Sequence, residues 1–213
     1  MAPDEWSAEY FDEQYADPDP WDFASADYER QKYRRQIRVL RDHGPDVDAI
    51  LELGCAEGVH SEMLLDAFPG ADLVGVDIAP AAVRRARERV GTERTRFVCA
   101  DVADAVADLE GPFDAVVWSE TIYYQGDSMG VPALYDLICD VDDLLADDGV
   151  LCLANIVDQQ DAPETPLTRA PVIEAYRALL SGRFCPVHEA EYTESKEDRE
   201  HTYRVWGFRP ERS

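Results

Sequence analysis

The segment ILELGCAEGVHS, residues 50–61, joins an apolar run to a helical pattern through a turn that holds glycine at 54 and 58. An apolar strand that stops at a glycine and restarts as a helix after a second one opens a strand–helix–strand unit. Such a turn is expected to present backbone N–H groups to an electron-rich ligand. Three kinds of ligand compete for it: a dinucleotide, a phosphate, or another adenosine-bearing cofactor. A dinucleotide turn reads G-x-G-x-x-G, its second glycine letting the backbone approach a pyrophosphate. Here Gly54-Cys55-Ala56-Glu57-Gly58 has a different spacing and a methyl group at the middle position. A phosphate loop needs Gly-Lys-Ser/Thr after the turn, and the sequence has none there. The alternative is a cofactor that lays an amino acid and a nucleoside, without pyrophosphate, over the strand ends.

Working outward, short apolar runs alternate with helical spacing: AILEL (49–53), ADLVGVD (71–77), TRFVCAD (95–101), FDAVVWS (113–119) and GVLCLANI (149–156) read as strands. Helices are expected over HSEMLLDAF (60–68), AAVRRARERV (81–90), VADAVADL (102–109), VPALYDLICDVDDLLAD (131–147) and VIEAYRALL (172–180), the last stopped by Gly182. This alternation predicts an α/β fold, a doubly wound and mostly parallel sheet covered on both faces. CPVHEAEYTE (185–194) and HTYRVWGFRP (201–210), joined by the charged turn SKEDRE, predict a closing hairpin that adds an antiparallel strand. Before the sheet, residues 27–44 predict a helix with Tyr33, Ile37 and Leu40 on one face, while Tyr28 and Lys32 fall on another flank. We expect one domain over 1–213, with residues 1–45 as an N-terminal helical cap and 46–213 as a Rossmann-like core.

Two carboxylates extend the argument. Asp77 ends the second strand about 20 residues past the glycines, where a carboxylate can accept both hydroxyls of a ribose; a helix cap is the competing role. Asp101 ends the third strand, where an adenine amino group can donate to it. With the glycine turn, three consecutive strand ends define an adenosine pocket.

On these residues the sequence resembles the class I S-adenosylmethionine-dependent methyltransferases: LELGCAEG is similar to their glycine motif, VGVDIA to the ribose motif, CADVAD to the adenine motif and FDAVVWSE to the strand at the reaction site. Ala56 departs from the commoner G-x-G-x-G. A narrower resemblance, carried by YFDEQYADPDPWDFASADYERQKY and SETIYY, is to the nodulation S-type N-methyltransferases and their small-molecule relatives, whose N-terminal segment caps the cofactor. The resemblance implies S-adenosyl-L-methionine as cofactor, a small-molecule acceptor such as an amine or amino sugar, and no metal. It implies that Glu52 and the turn Gly54, Cys55, Ala56 and Gly58 cradle the methionine portion and that Asp77 holds the ribose. Ile78 then packs on the adenine, with Asp101 and Val102 beside it and Ser119 contributing to the same site. Glu120 falls where the methyl is transferred, to orient or take a proton from an amine, to touch the cofactor, or to cap a helix. Tyr123 and Tyr124 wall the acceptor pocket or meet a cation with a ring face. In the cap, Trp21 closes over the cofactor, and Arg30 or Lys32 meets its carboxylate. Cys55 is expected to be an unreactive filler and His60 to face solvent.

Composition narrows the partners. The net charge is −25, with Lys32 and Lys196 the only lysines, which argues against nucleic acid and anionic membrane as partners. It suits concentrated salt, a halophilic, acidic-proteome signature; attraction of a cationic substrate is the other reading. The five cysteines form no C-x-x-C pair and are expected to be reduced core residues, and no apolar run approaches a membrane span. A cytoplasmic monomer or homodimer is expected. Two other functions compete. One is a non-catalytic S-adenosylmethionine-binding protein. The other is an NAD(P)-dependent oxidoreductase, which Tyr28-x-x-x-Lys32 suggests by resembling the short-chain dehydrogenase pair; that pair follows the fourth strand in dehydrogenases and here precedes the first.

Overall fold

The computed structural model describes residues 6–157, 166–196 and 199–212. Seven strands form one sheet: β1 (Ala49–Leu53), β2 (Asp72–Asp77), β3 (Thr95–Cys99), β4 (Phe113–Ser119), β5 (Leu145–Val157), β6 (Phe184–Lys196) and β7 (Arg199–Pro210). Their order is β3-β2-β1-β4-β5-β7-β6. The first five run parallel, and β7 lies antiparallel between β5 and β6, so the closing hairpin has the expected sense. β1 and β4 are neighbours although two strands separate them in sequence. The crevice above their carboxyl ends is the switch point at which doubly wound sheets hold ligands.

The helices are α1 (Ala8–Gln14), α2 (Asp27–His43), α3 (Val59–Ala67), α4 (Pro80–Val90), α5 (Val102–Asp108), α6 (Ile122–Leu144) and α7 (Ala170–Leu180). They cover the sheet over two apolar layers, one built around Trp118, Ile138 and Phe208 and the other around Leu40, Ile50, Leu64 and Val150. α2 buries Tyr33, Ile37 and Leu40 in the second layer as its spacing predicts, and it packs across β5, β6 and β7.

The sequence pattern departs from the structure in instructive places. α1 lies within the expected N-terminal helical cap, although the sequence pattern does not mark its bounds; Ser7 caps it by accepting from the Tyr10 N–H at 3.2 Å, and its Phe11 packs with Tyr15 and Trp21 on Ala79 and Ala82. The stretch 122–130, which precedes the helix expected from Val131, also belongs to α6. Gly130 (φ 74°, ψ 167°) leaves helical geometry just before Pro132, so α6 is two helical segments, a polar one and an apolar one, meeting at a sharp kink. α6 stops at Leu144, and Leu145 instead pairs with Phe113 as the start of β5. Much of the stretch 157–171 lies outside the described residues. Of the cysteines, Cys55 and Cys152 are buried, whereas Cys139 is half-buried and Cys99 and Cys185 are exposed, which corrects the expectation that all five are core residues; all five are unpaired. Among the described residues no helix is long and apolar enough to cross a membrane, and no group of three or more metal-binding side chains occurs.

Candidate functional site

A cavity of about 390 Å³ runs along the carboxyl edge of the sheet from β3 to β7, within the size range of small-molecule sites. Asp101 and Val102 lie at its β3 end, then Asp77 and Ile78, the turn Gly54–Ala56, and Ser119 to Thr121 at the end of β4. Ile156, His201 and Tyr203 stand at the far end. α2 and the cap form its roof.

The turn after β1 is more self-contained than its sequence suggests. Gly54 and Cys55 both donate their N–H to the Val76 carbonyl, at 2.8 and 2.9 Å. The Ala56 N–H donates to Asp77 Oδ2 at 2.9 Å. These three N–H groups are therefore not free for an anion, contrary to the expectation, because β2 ends beside the turn and claims them. The backbone is left-handed at Gly54, Ala56 and Gly58. A Cβ on Gly54 would stand 2.3 Å from Thr121 Cγ2, so only glycine fits between β1 and β4. Gly58 is absent from the cavity wall; it begins α3 and lets that helix approach Ala86, whose Cα would lie 3.0 Å from an added Cβ.

Asp77 caps α4 and also lines the cavity. Its Oδ1 accepts from the Ala79 N–H at 3.0 Å at the start of α4, while the carboxylate faces the cavity. Burial pushes its carboxyl up to about 6, against the pull of the Ala79 and Ala56 N–H groups toward the charged form. Asp101 caps α5 by accepting from the Ala103 N–H at 2.8 Å and also lines the cavity, beside Val102.

Beneath the turn, Glu52 is 2% exposed and accepts from the Ser61 hydroxyl. His60 Nδ1 lies 3.3 Å from Glu52 Oε1, and its ring stacks on Tyr33 at 4.3 Å between centroids. His60 is thus buried and on the cavity wall, not in solvent: α2 covers the first turn of α3. Cys55 is buried, and burial with the nearby carboxylates Asp77 and Glu52 drives its thiol well up, as suits a filler.

The other half of the site is built on Glu120. It stands one residue past β4 with φ 58°, an unfavourable conformation for a side-chain-bearing residue that concentrates at functional positions. Its N–H donates to the Ala154 carbonyl at 2.8 Å, and its Oε2 accepts from the Ile156 N–H at 3.2 Å and the Tyr123 hydroxyl at 3.3 Å. Its buried Oε1 has no hydrogen-bond partner among the described residues. Burial pushes the carboxyl up, and Lys32 opposes that. Lys32 is 2% exposed, with Nζ 2.7 Å from Glu29 Oε2 and 3.7 Å from Glu120 Oε1. Its ammonium is thus drawn toward β4 and β7, away from the turn. Arg30, the other cation expected to meet the cofactor carboxylate, is not on the cavity wall. Tyr28 hydrogen-bonds the Tyr203 hydroxyl at 2.9 Å, so Tyr28 and Lys32 do not form a dehydrogenase-like pair. Ser119 Oγ accepts from Gln36 Nε2 at 3.1 Å and faces the cavity.

The cap closes the front. Trp21 lies on the wall with its ring 4.8 Å from Tyr15. Trp6 donates Nε1–H to Asp127 Oδ2 at 2.8 Å and its ring meets Tyr124 at 4.8 Å, while the Ala81 N–H donates to Asp12 Oδ1 at 2.7 Å. Thus α1 bridges α4 and α6 across the opening. Tyr123 and Tyr124 both line the cavity; burial raises their phenols, that of Tyr124 to about 12.

The sequence reading missed Trp6, Phe11, Tyr15, Glu29, Tyr33, His60 and Tyr203. A signal for Glu29 existed, since Glu29, Lys32 and Gln36 recur at helical spacing beside Tyr33 and place three polar residues against an apolar face. For Tyr203 there was none, because β7 reaches the site only through the strand order.

The model of the nodulation protein S (NodS) family matches residues 4–159, well over half of the chain. Nodulation protein S of Bradyrhizobium diazoefficiens is 31% identical over 142 residues, 66% of this chain and 64% of that protein. A trans-aconitate 2-methyltransferase of Variovorax paradoxus is 31% identical over 149 residues, 70% and 54% of the two chains. A malonyl-[acyl-carrier protein] O-methyltransferase of Anoxybacillus flavithermus is 36% identical over 75 residues, 35% and 28%. The chain thus spans between 28% and 64% of the length of these curated relatives. Among solved structures, the N-methyltransferase NodS of Bradyrhizobium japonicum in complex with S-adenosyl-L-homocysteine superposes with a TM-score of 0.76 at 21% identity, covering 96% of this chain and 98% of that one. A Burkholderia thailandensis 1,6-didemethyltoxoflavin-N1-methyltransferase gives 0.65 at 20% identity, covering 95% and 86%. The chain belongs to the nodulation protein S family, with the Rossmann-like fold of the class I S-adenosylmethionine-dependent methyltransferases.

Proposed function

We propose that the protein transfers a methyl group from S-adenosylmethionine to the nitrogen of a small-molecule amine. One arrangement carries this reading: a single cavity joins an adenosine-type wall, Asp77 and Asp101 at neighbouring strand ends, to a buried carboxylate, Glu120, one oxygen of which accepts no hydrogen bond among the described residues and meets only the Lys32 ammonium at 3.7 Å. The donor set fits the cofactor. The turn commits three N–H groups internally and so offers no pyrophosphate cradle, which argues against a nicotinamide dinucleotide. Asp77 would accept from the ribose hydroxyls, Ile78 and Val102 would flank the adenine, and Glu52 would face the methionyl ammonium.

When bound, S-adenosylmethionine supplies a sulfonium-borne methyl whose transfer leaves a neutral thioether, so the protein need not protonate a leaving group. The chain's own residues then have two tasks. The first is alignment: the roof of α1, α2 and the first half of α6 excludes water and holds the acceptor nitrogen in line, an effect that can be large. The second is the proton. An amine arriving as an ammonium gives its N–H proton to Glu120 Oε1, freeing the lone pair for attack. The raised phenols of Tyr123, Tyr124 and Tyr203 stay protonated and serve as hydrogen-bond donors, not bases. Nitrogen as the target is supported by the two similar structures described as N-methyltransferases.

Calorimetric titration with S-adenosylhomocysteine and, separately, with NAD and NADP tests the cofactor. Radiolabelled methyl transfer to a panel of primary amines and amino sugars tests the reaction. Binding of the first ligand together with transfer to an amine is expected, and transfer is expected to fall about 100-fold or more in Glu120→Gln. Binding without transfer to any acceptor favours a non-catalytic binder, and nicotinamide binding refutes the reading.

A further inference from the structure

The cluster around Lys32 contains more charge than methyl transfer alone requires. Two carboxylates, Glu29 and Glu120, face one ammonium in a nearly solvent-free volume, and the Lys32 ammonium also lies 5.6, 5.5 and 5.3 Å from the ring centroids of Phe23, Tyr33 and Tyr203. An ammonium so placed is already neutralised and desolvated. To reach a cofactor carboxylate at the glycine turn it would have to leave two buried carboxylates behind, which is unfavourable. We propose that Lys32 is a positioning residue that keeps Glu120 in its charged, proton-accepting form, and that Glu29, by competing for the same ammonium, sets how strongly it does so. This rests on the amine-methylation reading above.

Geometry supports the division of labour. Glu120 Oε2 is fixed by the Ile156 N–H and the Tyr123 hydroxyl, and Oε1 is left between Lys32 and the cavity. Glu29 is the nearer partner of Lys32, at 2.7 Å against 3.7 Å, so the lysine leans toward the residue that does not carry the reaction. With Glu29 and Glu120 ionised and Lys32 protonated, the cluster carries one net negative charge, which favours a cationic amine at the moment of binding. Among the described residues, the other titratable groups named around Glu120 are phenols: Tyr28 and Tyr33 from α2, Tyr123 and Tyr124 from α6, and Tyr192 and Tyr203 from the hairpin. All are raised by burial and stay neutral, and His201 stacks behind Tyr28 at 6.1 Å. Lys32 and Glu29 are therefore the groups that tune Glu120.

The test is a pH titration by carbon NMR of protein labelled at the glutamate side-chain carboxyl carbons, with Glu120 assigned from the signal lost in E120Q. Relative to the wild type, the Glu120 signal should titrate about one pH unit or more higher in K32M and lower in E29Q, since an opposite charge at this range stabilises a carboxylate and a like charge does the reverse. The isosteric E29Q keeps the test decisive if K32M does not fold. An unchanged Glu120 titration in E29Q overturns the proposal. So does a K32M protein that loses S-adenosylhomocysteine binding while Glu120 titrates as in the wild type, which would assign Lys32 to the cofactor. Failure of the wild type to bind S-adenosylhomocysteine in calorimetry would instead overturn the parent reading, a result the titration itself does not produce.

Discussion

If Asp77 accepts from the ribose hydroxyls as proposed, affinity for S-adenosylhomocysteine should fall about tenfold between about pH 7 and pH 5, because the ionised, accepting form is being lost. The magnitude follows from a carboxyl raised to about 6 by burial. If the ligand binds only the carboxylate, the apparent Kd carries a factor of one plus the ratio of protonated to ionised Asp77. That factor is about 1.1 one unit above the pKa and about 11 one unit below it. The same shift has the opposite sign for the empty fold. A carboxyl that titrates higher folded than unfolded holds its proton more tightly in the native state. Its contribution to stability is therefore full below the unfolded value of 3.8 and is lost as pH rises through about 6. Acidification thus favours the fold at this residue while weakening the complex. Calorimetric titration from pH 5 to pH 7.5 measures the slope, and Asp77→Asn supplies the control: an amide cannot accept both backbone N–H groups, so binding weakens and the slope flattens. A Kd constant within about twofold across the range, or an equal slope in Asp77→Asn, refutes the ribose assignment.

Gly54→Ala should cost about 2–4 kcal/mol in denaturant unfolding, since a left-handed backbone (φ 83°) and a methyl 2.3 Å from Thr121 Cγ2 both oppose it; unchanged stability would mean that the turn relaxes away from β4. Trp6→Ala removes the indole bond to Asp127 and the ring contact with Tyr124, and should speed S-adenosylhomocysteine release about tenfold in stopped-flow displacement, with little change in thermal stability. An unchanged off-rate would show that α1 is not a closing element. With a net charge of −25, the Tm should rise by about 5 °C or more from 0.1 M to 1 M salt, as screening shortens from roughly 10 Å to 3 Å; a flat Tm contradicts salt adaptation.

The half of the cavity lined by the glycine turn, Asp77 and Asp101 was legible as a wall because it is local. Glycine spacing and the carboxylates Asp77 and Asp101 each sit at the end of an apolar run, and a parallel sheet brings such ends to one edge whatever the loops do. The turn chemistry was not legible, since only the neighbouring β2 reveals that Val76 and Asp77 claim its N–H groups. His60 was misplaced for a related reason: a polar residue at the start of α3 reads as exposed until α2 lays Tyr33 over it. Lys32 was identified as a site residue but given the wrong neighbourhood, because its partner Glu120 lies 88 positions away in sequence and no helical periodicity couples the two. Aromatic residues of the extension were visible in composition, yet which of them face the cavity depends on how α1 crosses from α4 to α6.

The hydrogen bond between the Tyr28 and Tyr203 hydroxyls joins residues 175 positions apart. The two ends of the cavity therefore come from distant parts of the chain: Asp77 and Asp101 stand at strand ends that precede β4, whereas Tyr203 stands on β7, the last strand in sequence, which lies between β5 and β6. The near wall is a product of local strand–helix units, and the far wall depends on the final strand taking its place in the sheet.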